Sequence, residues 1–173
     1  MNEFFHIFDF DYTLSKTLER VKVWSPRGDC FDGEKPYFSL DPSEFHHFKI
    51  ARDEYINDSS FTEFDNINRK KAIPILPTFF FFNQCSNKMI LTSRSQDVES
   101  EIRKKIKGSF NFVGLGKHEG NHKINFIKNL KKDNAIMYDD SPDVISLCKQ
   151  ENIKNVKIDH SNKSVSLNFW RIN

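Results

Sequence analysis

Asp9-Phe10-Asp11 sets two carboxylates two residues apart, directly behind the apolar run Phe4 to Phe8. If that run is a strand, side-chain alternation directs both carboxylates to one side. Two anions so close repel each other, and a cation or a shared proton has to offset them. Magnesium suits the pair, since it takes carboxylate oxygens and keeps water and phosphate as its remaining ligands. Further along, Thr92-Ser93-Arg94 and Asp139-Asp140-Ser141-Pro142-Asp143 each follow another apolar run. Lys123, with Lys117 in reserve, supplies the positive charge that an acidic site needs in order to hold an anion. Acids and hydroxyls thus stand where a parallel sheet would put its active site. Singly, each has a plainer reading: DxD starts a turn, Thr92 ends a strand, Lys123 is a solvated helix lysine and Asp143 serves the helix dipole.

The elements that must position these groups can be read from periodicity. Short apolar runs at Phe4–Phe8, Lys88–Leu91, Phe110–Val113, Ala135–Tyr138 and Asn155–Ile158 predict buried strands. Val98, Ile102 and Ile106 recur at helical spacing, with Asp97 and Glu99 at the start, Lys104, Lys105 and Lys107 at the end, and Gly108 as a stop. Ile124, Ile127 and Leu130 predict a second helix. Ser141-Pro142 marks a third, with serine as N-cap and proline at the first helical position. Strands alternating with helices from residue 86 onward specify a parallel α/β sheet, whose ligands sit at the strand C-terminal ends. Residues 15–75 break the rhythm and read as a flap or small cap inserted after the first strand. Within it Arg20–Trp24 alternates like an exposed strand, and Ser25-Pro26-Arg27-Gly28 reads as a turn toward Cys30.

Bulk properties narrow the classes. The 173 residues fit one domain, with 15–75 as an insert within it. A hydrophobic fraction of 38% and a mean hydropathy of −0.61 exclude a membrane or disordered chain. Lys+Arg at 26 against Asp+Glu at 24 argues against a protein that coats nucleic acid. Cys30, Cys85 and Cys148 are odd in number and lack a CxxC pair, as expected for reduced thiols in the cytoplasm. No apolar run is long enough to span a bilayer, Ile73–Phe82 being broken by Pro74 and Pro77. His46 and His47 lack zinc-like spacing to other ligands. The alternating tail Val165–Arg171 predicts an edge strand or a pairing surface.

The order of these parts resembles the haloacid dehalogenase superfamily of phosphohydrolases. Asp9-Phe10-Asp11-Tyr12-Thr13-Leu14 is similar to its first motif, Ile90-Leu91-Thr92 to its second, Lys123 to its third, and Asp139-Asp140 with Asp143 to its fourth. Tyr12 departs from the glycine most members carry. The resemblance spans residues 4 to about 158, apart from the insert. It implies a three-layer, Rossmann-like parallel sheet with a flap or cap insert. It also implies a magnesium-dependent phosphatase: Asp9 attacks phosphorus to form an aspartyl-phosphate, and Asp11 protonates the leaving oxygen and then deprotonates water. Asp9, the main-chain carbonyl of Asp11, and Asp139 or Asp140 would hold Mg2+. Thr92, Ser93 and Lys123 would bind the phosphoryl oxygens, with Asp143 and Thr13 standing behind the metal ligands.

For the substrate two readings stand. LTSR and YDDSPDV are similar to the phosphatase half of polynucleotide kinase-phosphatases and to RNA-repair-like members. That similarity implies a 3′-phosphate on a nucleic-acid end, contacted by Arg94, Arg20 and Trp24, with Lys22 and Arg27 nearby. The alternative is a nucleotide or sugar phosphate under a lid carrying Phe45, Phe48 and Tyr55. A third possibility, outside enzymes, is a catalytically silent phosphate-binding protein. A phosphoacceptor receiver domain is contradicted by motif order, since here the DxD comes first and the DD last.

Overall fold

A computed structural model describes residues 3–24, 38–45, 48–49, 58–65, 67 and 72–159. The expected turn at Ser25–Gly28, Cys30, His46, His47, Tyr55 and the tail strand at Val165–Arg171 lie outside them. In chain order the strands and α-helices are β1 (Phe5–Phe8), β2 (Ser15–Lys16), β3 (Val21–Val23), β4 (Phe38–Leu40), α1 (Pro42–Phe45), β5 (Ile73–Pro74), α2 (Leu76–Gln84), β6 (Lys88–Thr92), α3 (Glu99–Lys105), β7 (Asn111–Gly114), α4 (Gly120–Asn129), β8 (Ala135–Asp139), α5 (Pro142–Gln150) and β9 (Lys154–Lys157). Two 3-10 segments, Asp58–Asp65 and Gln96–Val98, are also present among the described residues.

The five expected strands form one parallel sheet in the order β7-β6-β1-β8-β9. Every residue of β6 and β8 is buried, because a parallel sheet is covered on both faces and its strands tolerate no polar side. Alternation divides the core accordingly. Phe5, Ile7, Met89, Leu91, Ala135 and Met137 pack against Ile124 and Ile127 of α4 and Val144 and Cys148 of α5. Phe8, Ile90, Ile136 and Tyr138 pack on the opposite face with Phe82 of α2 and Ile102 of α3. The molecule is thus a three-layer α/β structure compatible with a Rossmann-like fold. Phe8, fully buried and stacked on Tyr138 with ring centroids 4.4 Å apart, anchors the centre. Burial of such a side chain stabilises by about 2–3 kcal/mol.

The chain runs outward from β1 through β6 to β7 and then returns to lay β8 on the other side of β1. That reversal opens a crevice beyond the C-terminal ends of β1 and β8. Register sets what faces it: Phe8 pairs with Tyr138, so the residues that follow, Asp9 and Asp139, come level with each other.

The third predicted helix forms as α5, with the Ser141 hydroxyl accepting from the Val144 amide at 3.4 Å. Such a cap is worth about 1 kcal/mol. Helix α2 was not expected. Its run LPTFFFFNQ has no polar stripe to give a period, and its two flanking prolines looked like breaks. Pro77 instead sits in the first helical turn, where its missing N–H costs nothing.

The insert 15–75 is pinned at its base, where β2 pairs antiparallel with β5. Within it β3 pairs with β4. The alternating segment Arg20–Trp24 forms a strand over Val21–Val23: Val21 and Val23 are buried, Arg20 is exposed, and Lys22 and Trp24 are half-buried. Among the described residues, no helix is long and apolar enough to cross a membrane.

Gly114, the last residue of β7, lies against the backbone that follows β6. A Cβ there would fall 2.5 Å from the Ser95 carbonyl oxygen and 2.6 Å from the Gln96 amide nitrogen. Gly114→Ala is expected to cost about 1–3 kcal/mol in urea unfolding, since backbone rather than a flexible side chain must give way. An unchanged midpoint would mean that the 93–96 turn moves freely.

Candidate active site

Asp9 leaves β1 with its amide donating to the Tyr138 carbonyl at 2.9 Å, which ties it to β8. The next residues make a tight turn. Leu14 and Ser15 both donate to the Phe10 carbonyl, and Tyr12 takes a positive φ of 55°. Left-handed backbone is where most chains use glycine, and Tyr12 holds it with a buried ring. From α4, the Lys123 ammonium reaches across to donate to Asp9 Oδ1 at 2.7 Å and to Asp139 Oδ2 at 2.8 Å. All three groups are buried. The second oxygen of Asp139 accepts the Ser141 amide at 2.8 Å, which couples the acid to the start of α5.

The charge balance of this cluster is tight. Burial pushes the Asp9 carboxyl up to about 7; Lys123 pulls it down, while Asp139 and Asp11 push it further up. Asp140 is likewise raised well above the ordinary carboxylate range, first by burial and then by Asp139 and Asp9. Burial alone would lower Lys123, but Asp139 and Asp9 outweigh it and hold the ammonium charged. The oxygens of Asp9, Asp139 and Asp140 lie within 4.8 Å of one another. A set of three hard oxygen donors fits a small divalent cation.

Asp11 is held separately. The guanidinium of Arg94 grips both its oxygens, Nε to Oδ2 at 2.8 Å and Nη2 to Oδ1 at 2.6 Å, and the Thr17 hydroxyl donates to Oδ1 at 2.7 Å. Arg94 is itself only 1% exposed, donates to the Phe64 carbonyl at 2.9 Å and lies 3.4 Å from Glu19. Its planar fork fixes a carboxylate in direction as well as in place.

Asp9, Asp11, Ser93, Arg94, Lys123, Asp139, Asp140 and Asp143 line one cavity of about 150 Å³. Residues scattered over most of the sequence thus meet at the crevice that the topology requires. Lys117 is exposed and makes no part of the lining, so Lys123 is the lysine of the site. Thr92 is fully buried and its hydroxyl accepts the Arg94 amide at 3.3 Å, shaping the turn from behind while Ser93 faces the cavity. Thr13, also buried, donates to Asp140 Oδ1 at 3.5 Å. The Asp11 carboxylate stands outside the group of three acids; the ligand expected of this residue is its main-chain carbonyl. Of the expected substrate contacts, Arg94 lines the cavity with its fork spent on Asp11, and Arg20 and Trp24 are not in the lining. Arg20 faces Glu44 at 3.9 Å instead, within the insert.

The far wall was missed. Phe61, Phe64 and His118 line the cavity together with Phe45. Phe61 and Phe64 come from a 3-10 segment and His118 from the loop before α4, positions that share no periodicity. The only sequence signal was an aromatic-rich insert. Compared with known proteins, the chain matches no family model, no curated sequence and no solved structure.

Removing the ammonium of Lys123 would leave two buried acids without compensation. Lys123→Met is expected to destabilise the metal-free protein by about 3–5 kcal/mol near pH 8. The sign with pH follows from Asp9. Its folded value of about 7 lies above the ordinary 3.8, so the folded state keeps that proton across the interval and loses stability as pH rises through it. Without Lys123 the interval extends upward, so the variant's deficit grows from pH 5 to pH 8. Urea titrations at both values check this, and equal deficits would reduce Lys123 to a packing role.

Proposed function

We propose that this chain is a magnesium-dependent phosphomonoester hydrolase of the haloacid dehalogenase kind, with the 15–75 insert as its cap. The observation that carries the reading is the Asp9–Lys123–Asp139 bridge at the C-terminal ends of adjacent strands, with Asp11 on the same cavity and held by its own cation. An aspartate buried beside a lysine is poised as a nucleophile once the charge around it is balanced.

Asp9, Asp139 and Asp140 would hold the magnesium ion, which supplies charge compensation for three acids and an anionic substrate. Lys123 spends two of its three N–H donors on Asp9 and Asp139, leaving one for a phosphoryl oxygen. Ser93, half-buried on the cavity wall, offers a hydroxyl beside it. Asp9 attacks phosphorus in line as the ester P–O bond breaks, and the leaving oxygen takes a proton from Asp11. A water that gives its proton to Asp11 then attacks the aspartyl-phosphate, freeing phosphate and Asp9. In this structure Arg94 and Thr17 hold Asp11 as an acceptor, the form that takes the proton from water; as the acid of the first step it carries its proton on an oxygen turned out of the Arg94 fork. Nucleic-acid 3′-ends, nucleotides and sugar phosphates all present the required monoester.

Two variants test the assignment. Asp9→Asn, folded as judged by circular dichroism, is expected to lose phosphate release by more than about 10³-fold, as nucleophile removal does elsewhere. Retained turnover would sink the covalent mechanism. Arg94→Lys keeps the charge but loses the fork, and kcat is expected to fall roughly 10²-fold through Asp11 while KM changes little. A rise in KM with kcat intact would place Arg94 on the substrate instead.

A further inference from the structure

The cavity has two unlike sides. Its floor is charged, with Asp9, Lys123, Asp139 and Asp140, whereas its outer wall is built from Phe45, Phe61, Phe64 and His118. Phe61 and His118 stack nearly parallel, centroids 3.6 Å apart and planes 15° apart. Phe45 meets Phe61 edge-on at 5.8 Å, and Phe64 meets His118 edge-on at 6.2 Å. The stacked pair joins the insert to the loop before α4, so this wall is where the insert closes on the core. His118 is exposed and Phe61 half-buried, so the stacked pair reaches the protein surface.

A phosphoryl group on the floor leaves the rest of its ester directed along the wall. Rings whose faces already accept another ring at van der Waals distance suit a flat aromatic partner, and base–aromatic stacking tolerates any base because each has a π-face. The neighbouring cations each face an acid. The Lys22 ammonium faces Thr62 and Glu63, the Arg20 guanidinium faces Glu44 while the Arg20 main-chain amide donates to Glu63, and Arg94 grips Asp11.

We propose that this aromatic wall is the leaving-group subsite and that the esters taken are nucleoside phosphates, whose base stacks on the Phe61–His118 rings. The assignment rests on the hydrolase reading and narrows its substrate class. Two sources share this chemistry, a free mononucleotide and the terminal nucleotide of an oligonucleotide.

The test compares kcat/KM, with magnesium, for the 3′- and 5′-monophosphates of adenosine, the matching baseless ribose phosphates, a hexose phosphate and a 3′-phosphorylated oligonucleotide. Base-bearing esters are expected to lead their baseless counterparts by roughly tenfold or more. In Phe61→Leu the ratio should fall toward one; reading a ratio cancels any general loss of activity. The oligonucleotide arm separates the two sources. A ratio near one in the native sequence, a ratio unmoved by Phe61→Leu, or preference for the hexose phosphate overturns the subsite. If Phe61→Leu does not fold, NMR of the Asp9→Asn protein with adenosine monophosphate decides: contacts between base protons and the Phe61 ring are expected, and contacts to the ribose alone overturn it. Because that measurement needs no turnover, phosphate release from no ester at all would sink the hydrolase reading while leaving base binding to be judged separately.

Discussion

One buried ammonium makes the centre of this molecule possible. Asp9 and Asp139 end neighbouring parallel strands in register, so the sheet itself forces two carboxylates together beneath the surface. Placing charges there costs several kcal/mol each unless they are paired with good geometry. Lys123 answers both at once, from a helix on the face that also carries α5. The sheet register, the position of α4 and the buried lysine are therefore a single constraint, because moving any one leaves an unmatched charge.

A second ion pair performs the corresponding task between core and insert. Arg94 leaves the β6 end and grips Asp11, while two further contacts, with the Phe64 carbonyl and Glu19, reach the insert. The arginine also lies 5.0 Å from the centroid of the Phe64 ring. The residue that orients Asp11 thus also contacts one wall of the cavity. The cavity lining thus joins an aromatic cluster to a charged one.

Most of the central sheet was legible because its strands are buried on both faces, and apolar runs as short as KMIL and AIMY, bounded by polar residues, suit a strand better than a helix. The third helix was legible through Ser141-Pro142, where chemistry at one end specifies a start. Helix α2 was not, because four consecutive phenylalanines carry no period; the neighbouring layers decide which of them turns inward. Residues 15–75 gave only their ends. Their aromatic side chains pack by tertiary contact, and a 3-10 segment of eight residues leaves no repeat to detect.

By itself the sequence determined the α/β sheet and the set of groups at its strand ends, since local burial and end chemistry are written in adjacent residues. Only the tertiary structure decided their division of labour: Asp9 and Asp139 shared by Lys123, Asp11 drawn to Arg94, Thr92 turned behind the wall and His118 stacked on Phe61. The physical reason is distance. Charge pairing and ring stacking act over a few ångströms, and the partners in these contacts stand as much as 114 residues apart in the chain.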